Sequence, residues 1–169
     1  MQRLSGAICR MVLALVLVGT APRLSRALEI NDTLPLVSVH NAAGEVLALA
    51  ELKGKVTYID FWASWCPPCR ESFPFMNELT KRYGKEGLNI VAISVDQDRA
   101  AAEKALKRLD PQFQVVFDSS GEAAKAFKLP TMPTSFVVDS EGRVRAIKRG
   151  FKNSEKADLE KVIAELLKS

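Results

Sequence analysis

Hydrophobic and polar positions along this chain alternate between two patterns. Val56–Phe61 (VTYIDF) and Leu88–Val95 (LNIVAISV) are short apolar runs rich in β-formers. That is the pattern of strands buried on both faces. Phe113–Phe117 (FQVVF) predicts a third short strand. Between them the period becomes helical. The spacing predicts a helix over Pro68–Tyr83, with Phe73, Met76, Leu79 and Tyr83 on one face and Gly84 at its end. A second runs from Arg99 to Leu109, N-capped by Asp98 and stopped by Pro111, with Ala102, Ala105, Leu106 and Leu109 inward. Gly121–Phe127 is a short third helix. Ser154 caps a last one, in which Leu159, Val162, Ile163, Leu166 and Leu167 follow the helical period.

Two hairpin signals frame these elements. Leu36–His40 and Glu45–Leu49 flank Asn41–Gly44, and Thr134–Val138 and Val144–Ile147 flank Asp139–Gly142. Residues 28–35 lack periodicity and read as an extended arm. Strands alternating with helices predict an α/β fold, and the terminal hairpin makes its sheet mixed. No repeat, low-complexity tract or linker divides residues 28–169, which are expected to form one domain.

Composition narrows the class. The chain has 169 residues, 47% hydrophobic and 26% charged, which excludes a disordered chain, a collagen and a polytopic membrane protein. Three cysteines are too few for a disulfide scaffold or a multi-zinc protein, and one histidine, His40, excludes sites that need two. The net charge of +4 comes from Arg3, Arg10, Arg23 and Arg26, in a leader that holds no acid. The rest of the chain is neutral, so its charge gives no reason to expect a nucleic-acid partner.

That leader has the layout of a secretory signal over residues 1–27. A positive start is followed by the apolar run Met11–Ala21 and by Ser25-Arg26-Ala27, small residues suited to a cut before Leu28. A membrane-spanning helix needs about 20 apolar residues, more than Arg10 and Pro22 leave between them. An uncleaved anchor, with residues 11–21 as a membrane tether, is the competing reading. Either way the expected location is periplasmic or otherwise extracytoplasmic. Cleavage would remove Cys9 and leave two cysteines.

Those two, Cys66 and Cys69, form a C-x-x-C between a predicted strand and a predicted helix. The first thiol is placed at a helix N-terminus, where free N–H groups and the dipole favour its anion. The second lies one turn in, shielded, and suited to resolving a mixed disulfide. Pro67 and Pro68 have no N–H, so donors to the thiolate come from Cys69 onward. A purely structural disulfide would close too short a loop to stabilise much. A zinc site needs four ligands, and beyond the leader the chain offers two cysteines and His40. Dithiol exchange calls for no metal and no cofactor. Asp60, in an apolar strand leading to the pair, is a costly carboxylate if buried, and is a candidate to move the proton of Cys69. Trp65 is a candidate for a substrate groove, and Trp62 for either groove or core. His40 is expected to be exposed.

Asp60-Phe-Trp-Ala-Ser-Trp-Cys-Pro-Pro-Cys-Arg70 resembles the active-site segment of the thioredoxin superfamily. Pro74 matches the proline that kinks the active-site helix there, and Met132-Pro133-Thr134 resembles the segment with the family's cis-proline. The pattern from Leu52-Lys-Gly-Lys55 through Val95-Asp96 to Phe117-Asp118 is similar to the exported TlpA/ResA-like thiol–disulfide oxidoreductases, a group that includes reductants of cytochrome c maturation. The resemblance implies a thioredoxin-like three-layer α/β fold. Its mixed central sheet is flanked by helices, with an N-terminal hairpin and a central insert. It implies a Cys66/Cys69 redox disulfide and a cis Pro133 facing Cys66. Trp65, Met132, Pro133 and Thr134 would bind substrate. Disulfide-bearing client proteins would be the substrates, and a membrane thiol-transferring protein the electron donor. Cytochrome-specific members usually carry an acid after the second core strand. Asp96 and Asp98 are the candidates, and capping accounts for Asp98. Asp60 matches the buried acid of general thioredoxins, which points to a broader reductase. A copper chaperone on the same fold and a disulfide oxidase are the rival functions. A peroxidase lacks its lone catalytic cysteine here, and the dipeptide Pro67-Pro68 does not resemble the strongly oxidising C-P-H-C version.

Overall fold

The computed structural model describes residues 26–169. The apolar run Met11–Ala21 and the rest of the leader before Arg26 lie outside the described residues. Seven strands form one sheet: β1 (Ser38–His40), β2 (Val46–Ala48), β3 (Thr57–Trp62), β4 (Asn89–Ser94), β5 (Gln114–Phe117), β6 (Thr134–Val138) and β7 (Val144–Arg149). Four helices accompany them: α1 (Pro67–Tyr83), α2 (Arg99–Leu109), α3 (Glu122–Phe127) and α4 (Lys156–Leu166).

The strand order is β2-β1-β5-β4-β3-β6-β7. β3 pairs parallel with β4, and β4 with β5, while the remaining pairs are antiparallel. The sheet is therefore mixed, as the terminal hairpin predicts. All six residues of β3 are buried, because helices or loops cover it on both sides. Successive side chains point to opposite faces. Tyr58 and Trp62 pack with α1, α2 and α4 on one side, and Ile59 and Phe61 pack with α3 and the loop helix at Leu49–Leu52 on the other. Phe61, Phe127 and Phe136 meet edge to face on that second side, with centroids 4.8 to 6.2 Å apart. Asp60 shares the α1 face with Tyr58 and Trp62. Ala92 of β4 and Ser135 of β6 flank it.

The N-terminal hairpin joins the main sheet, since His40 pairs with Phe117. The central insert is α2 with β5, which fills the sheet position between β4 and the hairpin. The arm is not free: the Asn31 N–H donates to the Val144 carbonyl, and Thr33 bridges Arg143 at the β7 edge. The ends of α1 and α2 fall where the spacing predicts, and the local geometry there adds detail. Gly84 is the C-cap of α1 and opens a 3-10 turn, Gly84–Glu86, after which Gly87, at φ 103°, redirects the chain. Asp110 ends α2 in a left-handed conformation before Pro111 is reached. Ser154 does not cap α4. It lies in a 3-10 turn, Asn153–Glu155, and no side chain caps the helix. Among the described residues no helix is long and apolar enough to cross a membrane.

Candidate active site

β3 runs toward the cysteine pair and hands the chain to α1 through Ala63–Trp65. Cys66 is the N-cap of α1 in extended conformation, and its sulfur accepts a hydrogen bond from the Cys69 N–H at 3.3 Å. Pro67 and Pro68 fill the first helical positions, where a missing N–H costs nothing. The first available donor is thus Cys69 itself, as the proline pair predicts. The cysteines are joined by a disulfide, with Cα atoms 5.3 Å apart. Their exposure is unequal: Cys66 retains 5% and Cys69 none. Trp65, 67% exposed, stands beside Cys66 and borders a cleft lined also by Val95, Gln97, Asp98 and Ala101. Trp62 is fully buried against Phe73 and belongs to the core. Among the described residues its indole N–H is the one buried side-chain polar group without a partner.

Asp60 is buried beneath this loop. Burial pushes its carboxyl from 3.8 up to about 8, and a hydrogen bond from Ser72 opposes that rise. The Ser72 hydroxyl lies 3.2 Å from Asp60 Oδ2 and 2.8 Å from the Cys69 carbonyl oxygen. Ser72 was not singled out by sequence. The available signal was a small polar residue next to the apolar face of α1, one turn beyond Cys69. Tyr58, two residues before Asp60, is itself held well above its usual range, by burial first and then by Asp60.

The two acids after β4 have separate tasks. Asp98 accepts from the Ala100 N–H and caps α2. Asp96 is buried and accepts from the Ser64 N–H (2.8 Å), the Ser64 hydroxyl (2.7 Å) and the Ser94 hydroxyl (2.9 Å). It therefore clamps the loop two residues before Cys66. Across the sheet, Phe61 pairs with Thr134, which brings Met132-Pro133-Thr134 to the same end of the sheet as the cysteines. The Met132–Pro133 peptide bond is cis. The Pro133 carbonyl accepts from the Gly150 N–H, and the buried Thr134 hydroxyl donates to the Thr131 carbonyl. His40 is exposed on β1. Among the described residues no three His, Cys, Asp or Glu side chains are grouped to hold a metal ion.

One sheet end thus carries a slightly exposed cysteine at a helix terminus, a fully buried cysteine behind it and a buried acid within reach of the same helix turn. This arrangement suits thiol–disulfide exchange. The redoxin family profile matches residues 29–163. A thiol-disulfide oxidoreductase ResA of Bacillus thuringiensis subsp. konkukian is 35% identical over 117 residues, 69% of this chain and 68% of the relative. Its counterpart in Geobacillus kaustophilus is 31% identical over 129 residues, 76% and 74% of the two chains. A Chlorobium tepidum structure described as a thiol:disulfide interchange protein DsbE superposes with a TM-score of 0.80 at 37% identity, covering 83% of this chain and 99% of that one. With site, family profile and relatives in agreement, the chain belongs to the redoxin family and, within the thioredoxin superfamily, to the ResA-like thiol–disulfide oxidoreductases.

Proposed function

We propose that this enzyme is an extracytoplasmic reductase of protein disulfides, cycling Cys66 and Cys69 between dithiol and disulfide. The observation that carries the reading is the inequality of the two sulfurs. Cys66 is at the helix end beside exposed Trp65, and Cys69 is buried one turn later near Asp60 and Ser72. Cys66 thiolate, supported by the Cys69 N–H, attacks a client disulfide and forms a mixed disulfide. Cys69 then gives its proton to Asp60, attacks the Cys66 sulfur and releases the client thiolate. A carboxyl raised to about 8 is matched to taking up and returning a proton near neutral pH. An extended client segment lies along Trp65, with the Met132 backbone available for strand-like pairing and Pro133 and Thr134 shaping that edge of the groove.

The leader over residues 1–27 supports export, with a tether through residues 11–21 if it is not cut. Outside the cytosol the disulfide must be reduced again, so a membrane thiol-transferring protein serves as electron donor. Client proteins of cytochrome c maturation are one class that fits, and the buried Asp60 favours a broader set. Replacing Cys69 by alanine leaves Cys66 unable to be resolved. The Cys69→Ala variant is expected to accumulate mixed disulfides with clients, and Cys66→Ala to accumulate none. Equal trapping by both, or none by either, sinks the assignment. The reduction potential of the pair sets the direction: about −270 mV or below fits a reductase, and about −120 mV an oxidase. Copper bound stoichiometrically against a strong chelator would favour the chaperone reading instead.

A further inference from the structure

The Ser72 hydroxyl has one proton and two acceptors within reach. The Cys69 carbonyl oxygen is at 2.8 Å and Asp60 Oδ2 at 3.2 Å. Ser72 is fully buried, so bulk water does not serve either group. Helix α1 fixes Ser72 three residues after Cys69, and β3 fixes Asp60 opposite it. A neutral Asp60 carries its own proton and can donate it to Ser72 Oγ, which leaves the hydroxyl proton for the Cys69 carbonyl. A charged Asp60 can only accept, so the hydroxyl proton has to turn toward it. The alternative is a buried charge with no partner, which costs far more than a lost neutral hydrogen bond.

The geometry points to Ser72 as a positioning residue of the exchange: its hydroxyl swings between the Cys69 carbonyl and Asp60 as Asp60 titrates, and so keeps the buried carboxyl hydrogen-bonded in both states. This rests on the reading of Asp60 as acceptor of the Cys69 proton and gives that reading its mechanism. In the resolving step the Cys69 S–H proton passes to the Asp60 carboxylate. The Cys69 electron pair forms the bond to Cys66 Sγ, and the bond from Cys66 to the client sulfur breaks. That sulfur leaves with the electron pair and takes a proton from solvent. The client is reduced and the dithiol oxidised. As Asp60 becomes neutral, Ser72 turns back to the Cys69 carbonyl.

The surroundings leave little else to respond. β4 presents Ala92 and β6 presents Ser135 beside Asp60. Ser135 hydrogen-bonds Tyr58, the titratable neighbour on β3, whose own proton is lost only at much higher pH. α1 presents Ser72 and Cys69, and α4 lends Leu159 and Ile163 to this face. Among the described residues, burial and the Ser72 hydrogen bond set the position of the Asp60 titration.

The test is a carbon-13 NMR titration of the oxidised protein, in which neither cysteine ionises, labelled at aspartate carboxyls and cysteine carbonyls. The Cys69 carbonyl signal is expected to move with the same midpoint as the Asp60 carboxyl. In Ser72→Ala the Cys69 signal should stay flat and the Asp60 midpoint rise by about one unit, the size of one hydrogen bond to a charged group. Ser72→Thr, which keeps a hydroxyl, should restore both. A flat Cys69 signal in the wild-type protein overturns the proposal, and that measurement does not depend on any variant folding. An unmoved Asp60 midpoint in Ser72→Ala overturns it equally. The proton-carrier role is judged separately, by the pH–rate profile of Asp60→Asn. A profile unchanged from wild type removes that role, and the positioning role of Ser72 with it, even if the hydroxyl is seen to turn.

Discussion

Replacing Asp60 by asparagine keeps the shape of the side chain and removes its charge. In the wild-type protein the carboxyl titrates near 8 when folded and near 3.8 when unfolded. Between those values the folded state binds more protons than the unfolded state. Stability is therefore highest below pH 3.8 as far as this group is concerned, and falls as pH rises toward 8. At about 1.4 kcal/mol per pH unit, the loss from pH 5 to pH 8 is about 4 kcal/mol, and Asp60→Asn is free of it. The amide carries a fixed cost of about 1–3 kcal/mol where it lacks a full set of partners, but that cost does not vary with pH. The assay is urea unfolding of both oxidised proteins at pH 5, 6, 7 and 8. Taking the difference between them cancels every other titrating group. The variant is expected to gain on the wild type steadily, by about 4 kcal/mol across the window. A difference that stays constant to within about 1 kcal/mol would falsify the account of Asp60 as a buried, proton-holding acid.

Two further outcomes can be checked, one from the loop before Cys66 and one from the leader. Asp96→Ala leaves the Ser64 N–H and hydroxyl without their acceptor. It should cost about 3 kcal/mol in urea unfolding and slow disulfide reduction, whereas Asp98→Ala, which removes a helix cap, should cost only about 1 kcal/mol. Protein recovered from the cell envelope should have a mass that begins at Leu28, and a product that begins at Met1 would instead support the tether.

What the sequence made legible follows the strength of local signals. Six apolar-rich residues in a row marked β3, and Asp98 ahead of an alanine-rich helical period marked the start of α2. Cys66, Cys69 and Asp60 stand out as candidates by residue type and spacing, and the structure joins the two cysteines and buries the acid. The pairing of β1 with β5 was not legible, because strand partners distant in sequence leave no local trace. Ser154 suggests a cap by residue type alone, but the chain makes an extra 3-10 turn there. Ser72 and the Ser64 clamp of Asp96 escaped for a related reason. Each matters through one hydrogen bond to a group on another element, and a serine in a helix or loop looks the same with or without it.

The stitched N-terminal arm separates the point where the chain enters the domain from the cysteine pair. Asn31 and Asp32 bond to Val144, whose strand partner Val138 pairs with Thr57 at the start of β3. Arg26 folds back onto Asp32. The chain thus enters the domain at the pole of the sheet opposite Cys66, roughly 17 Å away along β3 alone. If the protein is held at a membrane by its N-terminal side, the reactive sulfur points outward from that surface. The domain then works as a short boom, with the cysteine pair at the end away from the point of attachment.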